Sequence, residues 1–253
     1  MKNQRTALIT GASAGLGVEF ARQLAARGFD LVLVARRQSK LDEVADAIRQ
    51  QHDVAVTVLQ ADLADPDAPQ ALQRALTERQ IHVDYLVNNA GAAGPDLLDE
   101  RDWEAQRRYQ ELMINSVAHM CHLFVPAMRE RGWGRVINVS SMSGRLARAG
   151  DINYGPAKAY VIALSEALSV TLRKTGVHVC ALCPGFTHTD FHEVAGMLDM
   201  KRQTPKFLWY DADVVVREGI KAVERGTPIR ASGRLYRWLD PLFQARLTRR
   251  LFR

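Results

Sequence analysis

Short runs of continuously apolar, often β-branched residues alternate along this chain with longer segments whose apolar positions recur every three or four residues. The short runs read as strands at 6–10, 30–35, 54–60, 83–87, 134–140 and 177–183, with a weaker one at 227–231. The longer segments predict helices over 16–27, 40–51, 67–80, 102–131, 154–175 and 212–224. The early strands lack an alternating polar face, as strands buried on both sides do, and a helix between successive strands gives the crossover that parallel pairing requires. The pattern therefore predicts one α/β domain over residues 1–253, a doubly wound parallel sheet of about seven strands with helices on both faces. No repeat, low-complexity tract or linker interrupts it. Folds of this kind bind ligands at the carboxyl ends of their strands, so the chemistry belongs to residues that directly follow a strand.

Four strand ends carry such residues. After the first comes Thr10-Gly-Ala-Ser-Ala-Gly-Leu-Gly17, which opens the first helix. Its glycines let the backbone turn tightly and approach a diphosphate, which the free N–H groups and dipole of the helix N-terminus favour. Gly11, Gly15, Leu16 and Gly17 are therefore candidate dinucleotide contacts, and the domain is of the Rossmann type. The spacing is Gly-x3-Gly-x-Gly, not the common Gly-x-Gly-x-x-Gly. The second strand ends in Val34-Ala35-Arg36-Arg37, where an acid would pair with the ribose hydroxyls of NAD. Arg36 and Arg37 instead suit the 2′-phosphate of NADP, with Ser13 offering a hydroxyl. In Ala61-Asp-Leu63, Asp62 reads either as an acceptor for the adenine amino group, beside Leu63, or as an N-cap. Asn88-Asn89-Ala90-Gly91 follows the fourth strand, and Asn89, Ala90 and Gly91 suit the flank of a bound cofactor as readily as a plain turn.

The fourth constellation joins Ser140-Ser141, after the fifth strand, to Tyr154-Gly-Pro-Ala-Lys158 on the helix that follows. Residues four apart share a helical face, with Cβ atoms about 5–6 Å apart. An ammonium beside a phenol is expected to pull its pKa below the usual value of about 10. A neighbouring serine hydroxyl can hold a carbonyl oxygen in reach of that phenol. Such a trio gives a proton to a carbonyl, or takes one from an alcohol, while hydride moves at the carbon. Pro156 is tolerable only in a first helical turn, which puts Tyr154 at the helix entrance, facing the strand ends. Asn115, within the 102–131 helix, either faces the same region or is an ordinary polar helix residue.

With these motifs in this order, the chain resembles the short-chain dehydrogenase/reductase superfamily over residues 5–190. The resemblance implies that Tyr154 is the general acid/base. Lys158 would lower its pKa, bind the nicotinamide ribose and join a proton relay that Asn115 completes. Ser141 would orient the substrate oxygen, preferred to Ser140 because it stands thirteen residues before the tyrosine. Pro184-Gly185 matches a family Pro-Gly motif at the cofactor, and Thr189 falls where a threonine meets the nicotinamide carboxamide. Thr187 replaces the usual Val or Ile and offers a backbone contact. Ala14 stands where several NADP-preferring relatives carry a base, so the expectation of NADP(H) rests on Arg36 and Arg37. The implied activity interconverts a carbonyl and an alcohol, and the implied assembly is a homodimer or homotetramer. A protein that binds NADP without chemistry is the rival reading, but such a sensor needs none of Asn115, Ser141, Tyr154 and Lys158.

Composition adds limits. Hydrophobic residues make up 47% of the chain, enough for a packed core. No apolar run nears the roughly 20 residues that cross a bilayer, and the first strand begins where a signal peptide would need its apolar region. A cytoplasmic protein is expected. Cys180 and Cys183 lie three apart on a strand and point to opposite faces, so with Cys121 they read as small core residues, and no metal site is expected. Segment 186–210 is predicted to be a substrate lid. Its Phe186, Phe191, Met197, Leu198, Met200, Phe207, Leu208, Trp209 and Tyr210 either line an apolar ketone or aldehyde (ketoacyl, steroid-like or aromatic) or pack the lid onto the core. Lys201, Arg202 and Lys206 read as a solvated edge, and His188 and His192 as loop residues.

The charge of the chain, +6, lies wholly in residues 230–253, where Arg230, Arg234, Arg237, Arg246, Arg249, Arg250 and Arg253 meet the single acid Asp240. The body is neutral, so no nucleic-acid surface is expected. In the tail Leu235, Trp238, Leu239, Leu242 and Phe243 recur at helical spacing, and Asp240-Pro241 is predicted as N-cap and first residue of a terminal helix. This basic amphipathic tail is expected to pack on the body or a second subunit, with contact to an anionic membrane as the alternative.

Overall fold

In the computed structural model, which describes residues 5–189 and 204–244, strand and helix alternate as the apolar pattern requires. The order is β1 (Thr6–Thr10), α1 (Gly15–Ala25), β2 (Asp30–Ala35), α2 (Gln38–Gln51), β3 (Val56–Gln60), α3 (Ala68–Glu78), β4 (Val83–Asn88), α4 (Trp103–Gln110) and α5 (Ser116–Glu130). It continues with β5 (Gly134–Val139), α6 (Tyr154–Thr171), β6 (Val177–Cys183), β7 (Thr187–His188), β8 (Tyr210–Asp211), α7 (Ala212–Glu224), β9 (Ile229–Ala231) and α8 (Arg234–Gln244). Seven strands form one parallel sheet in the order β3-β2-β1-β4-β5-β6-β9, while β7 and β8 pair separately.

Successive residues of each strand enter opposite cores. Ala7, Ile9, Leu31, Leu33, Tyr85 and Val87 pack with α1, α2 and α7 on one face. Leu8, Val32, Val34 and Leu86 pack with α3 and α5 on the other. The crossovers change direction between β1 and β4, so the loops after these two strands splay apart and leave a crevice at their carboxyl ends. Cys180 and Cys183 do fall on opposite faces, each buried.

Three elements differ from expectation. The helix predicted over 102–131 is interrupted by a π turn, Glu111–Asn115, between α4 and α5. One inserted residue shifts the helical register there, an event that apolar periodicity does not reveal. The terminal helix begins at Arg234, not after Asp240, and Pro241 sits inside it. Leu235 N–H is satisfied by the Tyr210 hydroxyl at 3.2 Å, so no cap is needed at Asp240. The short β7–β8 pair, with Thr187 opposite Tyr210, joins residues too distant in sequence to be paired by pattern.

Candidate active site

The glycine loop turns from β1 into α1 with Gly11 and Gly15 at φ +65° and +52°, a region that side chains resist. A Cβ on Gly17 would fall 2.1 Å from the Gly11 carbonyl oxygen, so loop and helix touch backbone to backbone. Ala14 occupies the N-cap and gives no side-chain hydrogen bond, and no acid stands in the first turn of α1. Gly17 N–H donates to the Ala14 carbonyl at 3.1 Å, and the turn ahead of it suits an anion. A groove of about 490 Å³ opens at this point, lined in part by Ser13, Gly15, Arg37, Lys40, His188 and Thr189. Arg37 Nη2 donates to Ser13 Oγ at 3.2 Å, which brings two predicted 2′-phosphate contacts together at its rim. Arg36 is exposed beside them, its carbonyl accepting from Gln60 Nε2 at 2.8 Å. Thr189 closes the far wall, 3.2 Å from where a Gly15 Cβ would stand. A helix terminus with no side-chain cap and no acid in its first turn, with Arg37 and Lys40 along the groove and Glu19 in it paired to Arg22, fits a phosphorylated dinucleotide.

The loop after β4 links this groove to the tyrosine. Asn89 Nδ2 donates to the carbonyls of Thr10 and Gly11 at 3.0 and 3.3 Å, and Ala90 N–H donates to Thr10 Oγ1 at 3.0 Å. Gly91 then passes Lys158, whose Nζ would lie 3.6 Å from a Cβ at that position. Asn89 is thus a strut between β1 and β4.

At the entrance of α6, the Ser141 hydroxyl lies beside the Tyr154 phenol, close enough to act on its titration. Lys158 Nζ donates to the Val139 carbonyl at 2.9 Å and lies 5.7 Å from the centre of the Tyr154 ring. Ser140 serves otherwise: its Oγ donates to the Lys158 carbonyl at 2.7 Å, tying β5 to α6. The expected lowering of the tyrosine pKa is reversed. Burial pushes the Tyr154 phenol up to about 12, only partly offset by the neighbouring Ser141 hydroxyl, and burial lowers Lys158 to about 8. The ammonium sits over the ring and on a carbonyl, and desolvation outweighs its attraction for a phenolate.

Other predicted residues are placed differently. Asn115 ends the π turn and is exposed, its Nδ2 donating to Glu111 Oε2 at 2.8 Å. Asp62 caps no helix. It accepts from Ala64 N–H at 3.1 Å and pairs with Arg108 at 2.9 Å. Leu63 is buried in the core behind α3, and Leu16 packs against the opposite core. Thr187 is buried, its Oγ1 donating to the Gly185 carbonyl at 3.1 Å. Within segment 186–210, Trp209 stacks on both Phe186 and His188 at 5.2 and 5.1 Å between centroids, while Phe207 is exposed. Phe191, His192, Met197, Leu198, Met200, Lys201 and Arg202 lie outside the described residues, as do 245–253 and the side chains of Leu242 and Phe243.

Sequence reading missed several neighbours. Asp151 Oδ1 accepts from Gly155 N–H at 2.7 Å, capping the first turn beneath Tyr154; an acid just ahead of a helix start was its signal. Asn153 donates to Gln106 and to the Pro95 carbonyl at 2.8 and 3.0 Å, and Tyr109 is buried beside Tyr154. No sequence signal marks these contacts.

A family model described as short chain dehydrogenase matches residues 5–196. The chain is 32% identical over 187 residues to a 3-oxoacyl-(acyl-carrier-protein) reductase of Vibrio cholerae, covering 74% of this chain and 75% of that protein. Among solved structures, a short-chain dehydrogenase from Sphingobium yanoikuyae in complex with NADPH superposes with a TM-score of 0.80 at 32% identity, covering 90% of this chain and 87% of that one. A bulky-bulky ketone specific alcohol dehydrogenase from Comamonas testosteroni superposes with a TM-score of 0.81 at 27% identity, covering 97% and 93%.

Proposed function

The chain belongs to the short-chain dehydrogenase family, and from that membership we propose that it is an NADP(H)-dependent oxidoreductase interconverting an apolar ketone or aldehyde with its alcohol. The observation that carries this reading is the Ser141–Tyr154 hydroxyl pair, with Lys158 beneath it, at the strand end beside the glycine-loop groove. NADPH in a relative's complex and the bulky ketone named for another support the cofactor and substrate class.

In this reading Gly11, Gly15, Leu16 and Gly17 hold the diphosphate, and Arg36, Arg37 and Ser13 hold the 2′-phosphate. Asn89, Ala90, Gly91, Pro184, Gly185, Thr187 and Thr189 flank the rest. Bound NADPH supplies the hydride. Ser141 holds the carbonyl oxygen, and Tyr154, protonated at neutral pH because its pKa is about 12, gives that oxygen its phenolic proton. The charged Lys158 stabilises the phenolate left behind. A phenol this weakly acidic favours reduction over oxidation near neutrality.

The test assays benzil, a 3-oxoacyl thioester and a 3-ketosteroid with NADPH and NADH side by side, for native protein and Tyr154→Phe. NADPH-dependent reduction is expected, falling by at least about a hundredfold in the variant while NADPH still binds. Full turnover by Tyr154→Phe sinks the mechanism, and a preference for NADH sinks the role of Arg36 and Arg37.

A further inference from the structure

Ser141 is the N-cap of a 3₁₀ turn, Met142–Arg145, and its Oγ accepts from Ser143 N–H at 3.1 Å. Gly144 N–H donates to the Ser141 carbonyl at 3.1 Å and Met142 N–H to the Pro184 carbonyl at 2.9 Å. The turn rests on α6, since a Cβ at Gly144 would lie 2.7 Å from the Lys158 carbonyl carbon. Its last residue reaches the other way. Arg145 Nε and Nη2 bond Asp240 Oδ1 and Oδ2 on α8 at 2.8 and 2.7 Å, with only 14% and 20% of the two side chains exposed.

The helix that carries Asp240 is itself fixed to the molecule. Arg237 bonds Glu218 of α7. The Tyr236 hydroxyl accepts from Phe186 N–H at 3.3 Å and donates to the Leu208 carbonyl at 3.1 Å. Its ring fills the space over Gly185, where a Cβ would fall 2.0 Å from Tyr236 Cε2. The first part of the basic tail is thus a wall beside the serine turn. A two-pronged pair between a guanidinium and a carboxylate fixes direction as well as distance. A largely buried pair is poor stabilisation once desolvation is counted, so orientation is its stronger effect.

We propose that Asp240 is a positioning residue: through Arg145 it holds the 141–145 turn so that the Ser141 hydroxyl stays on the Tyr154 hydroxyl. The inference rests on the roles given to Ser141 and Tyr154 above.

The test uses the full chain with Asp240→Asn, Arg145→Gln and the double variant. Amide hydrogen exchange at Met142, Ser143 and Gly144 is expected to quicken about tenfold in each, with β5 unchanged. With whichever of benzil, the 3-oxoacyl thioester or the 3-ketosteroid is reduced, kcat falls about tenfold, because a small displacement of a reacting group is costly. KM and NADPH affinity stay put, and the double variant is no worse than either single one. Asp240→Glu, which keeps the charge, recovers much of the loss. Unchanged exchange in the turn, an unchanged kcat, or losses that multiply in the double variant overturn the inference. If Asp240→Asn also loosens β5, the Asp240→Glu comparison decides, and failure of that variant to differ from Asp240→Asn overturns the inference too. Ser141→Ala is the control for the site: full turnover there would remove the catalytic reading, while exchange in the turn still judges whether Asp240 holds it.

Discussion

Burial moves Tyr154 and Lys158 in opposite senses, the phenol up to about 12 and the ammonium down to about 8, because in both it penalises the charged form. Below a pH of about 8 the lysine carries its charge and can stabilise the phenolate formed when Tyr154 gives up its proton. Above that value the charge is lost while the phenol remains protonated. Carbonyl reduction is therefore expected to be level up to a pH of about 8 and to fall beyond it, whereas alcohol oxidation, which needs the phenolate, climbs with pH. Steady-state kcat measured in both directions across that range checks this, and a reduction rate still level at a pH of about 9.5 would contradict it. The pairing of the two residues was legible as a four-residue spacing on one helix. The direction of the phenol's shift was not, because spacing places the ammonium near the ring but says nothing of how much water either group retains. Ser140 and Ser141 are likewise adjacent in sequence and opposite in use, one tying strand to helix and the other facing Tyr154.

Among the elements, the strand–turn–helix unit of β1 and α1 was readable almost residue for residue, since glycine spacing and helix entry are local properties of the backbone. That unit gives a direct prediction. A Cβ at Gly17 meets the Gly11 carbonyl oxygen at 2.1 Å, so Gly17→Ala must push the loop off the helix. NADPH affinity is expected to fall at least tenfold and stability by about 1–3 kcal/mol, read by fluorescence titration and denaturant unfolding. Unaltered NADPH binding would mean that this loop is not the diphosphate site. By contrast, the π turn at Glu111–Asn115 and the start of α8 were not legible. In the first case five apolar and polar residues fit either register. In the second, Asp240-Pro241 has the composition of a helix start, yet the carboxylate is taken by Arg145 and the helix is already under way. Local rules fail where a long-range partner offers the side chain a better contact.

For the molecule as a whole, stability rests on two cores joined through the sheet, with β1 between β2 and β4 and covered on both faces. Leu8, fully buried at the centre of β1, is the position where a cavity should cost most: Leu8→Ala is expected to lower unfolding free energy by about 2–5 kcal/mol in urea. A loss below about 1 kcal/mol would mean that the site can collapse around the change. No helix among the described residues is long and apolar enough to cross a membrane. The sequence alone determined the alternation of strand and helix, the glycine loop, the arginines after β2 and the Tyr154–Lys158 spacing. Each of these follows from the period of a backbone or the reach of neighbouring residues. Only the tertiary structure decided that Arg145 and Asp240 meet across 95 positions, that Tyr236 lies over Gly185, and that burial sets both pKa shifts. Contacts between distant segments and the exclusion of water come from how the layers pack, and no local pattern encodes them.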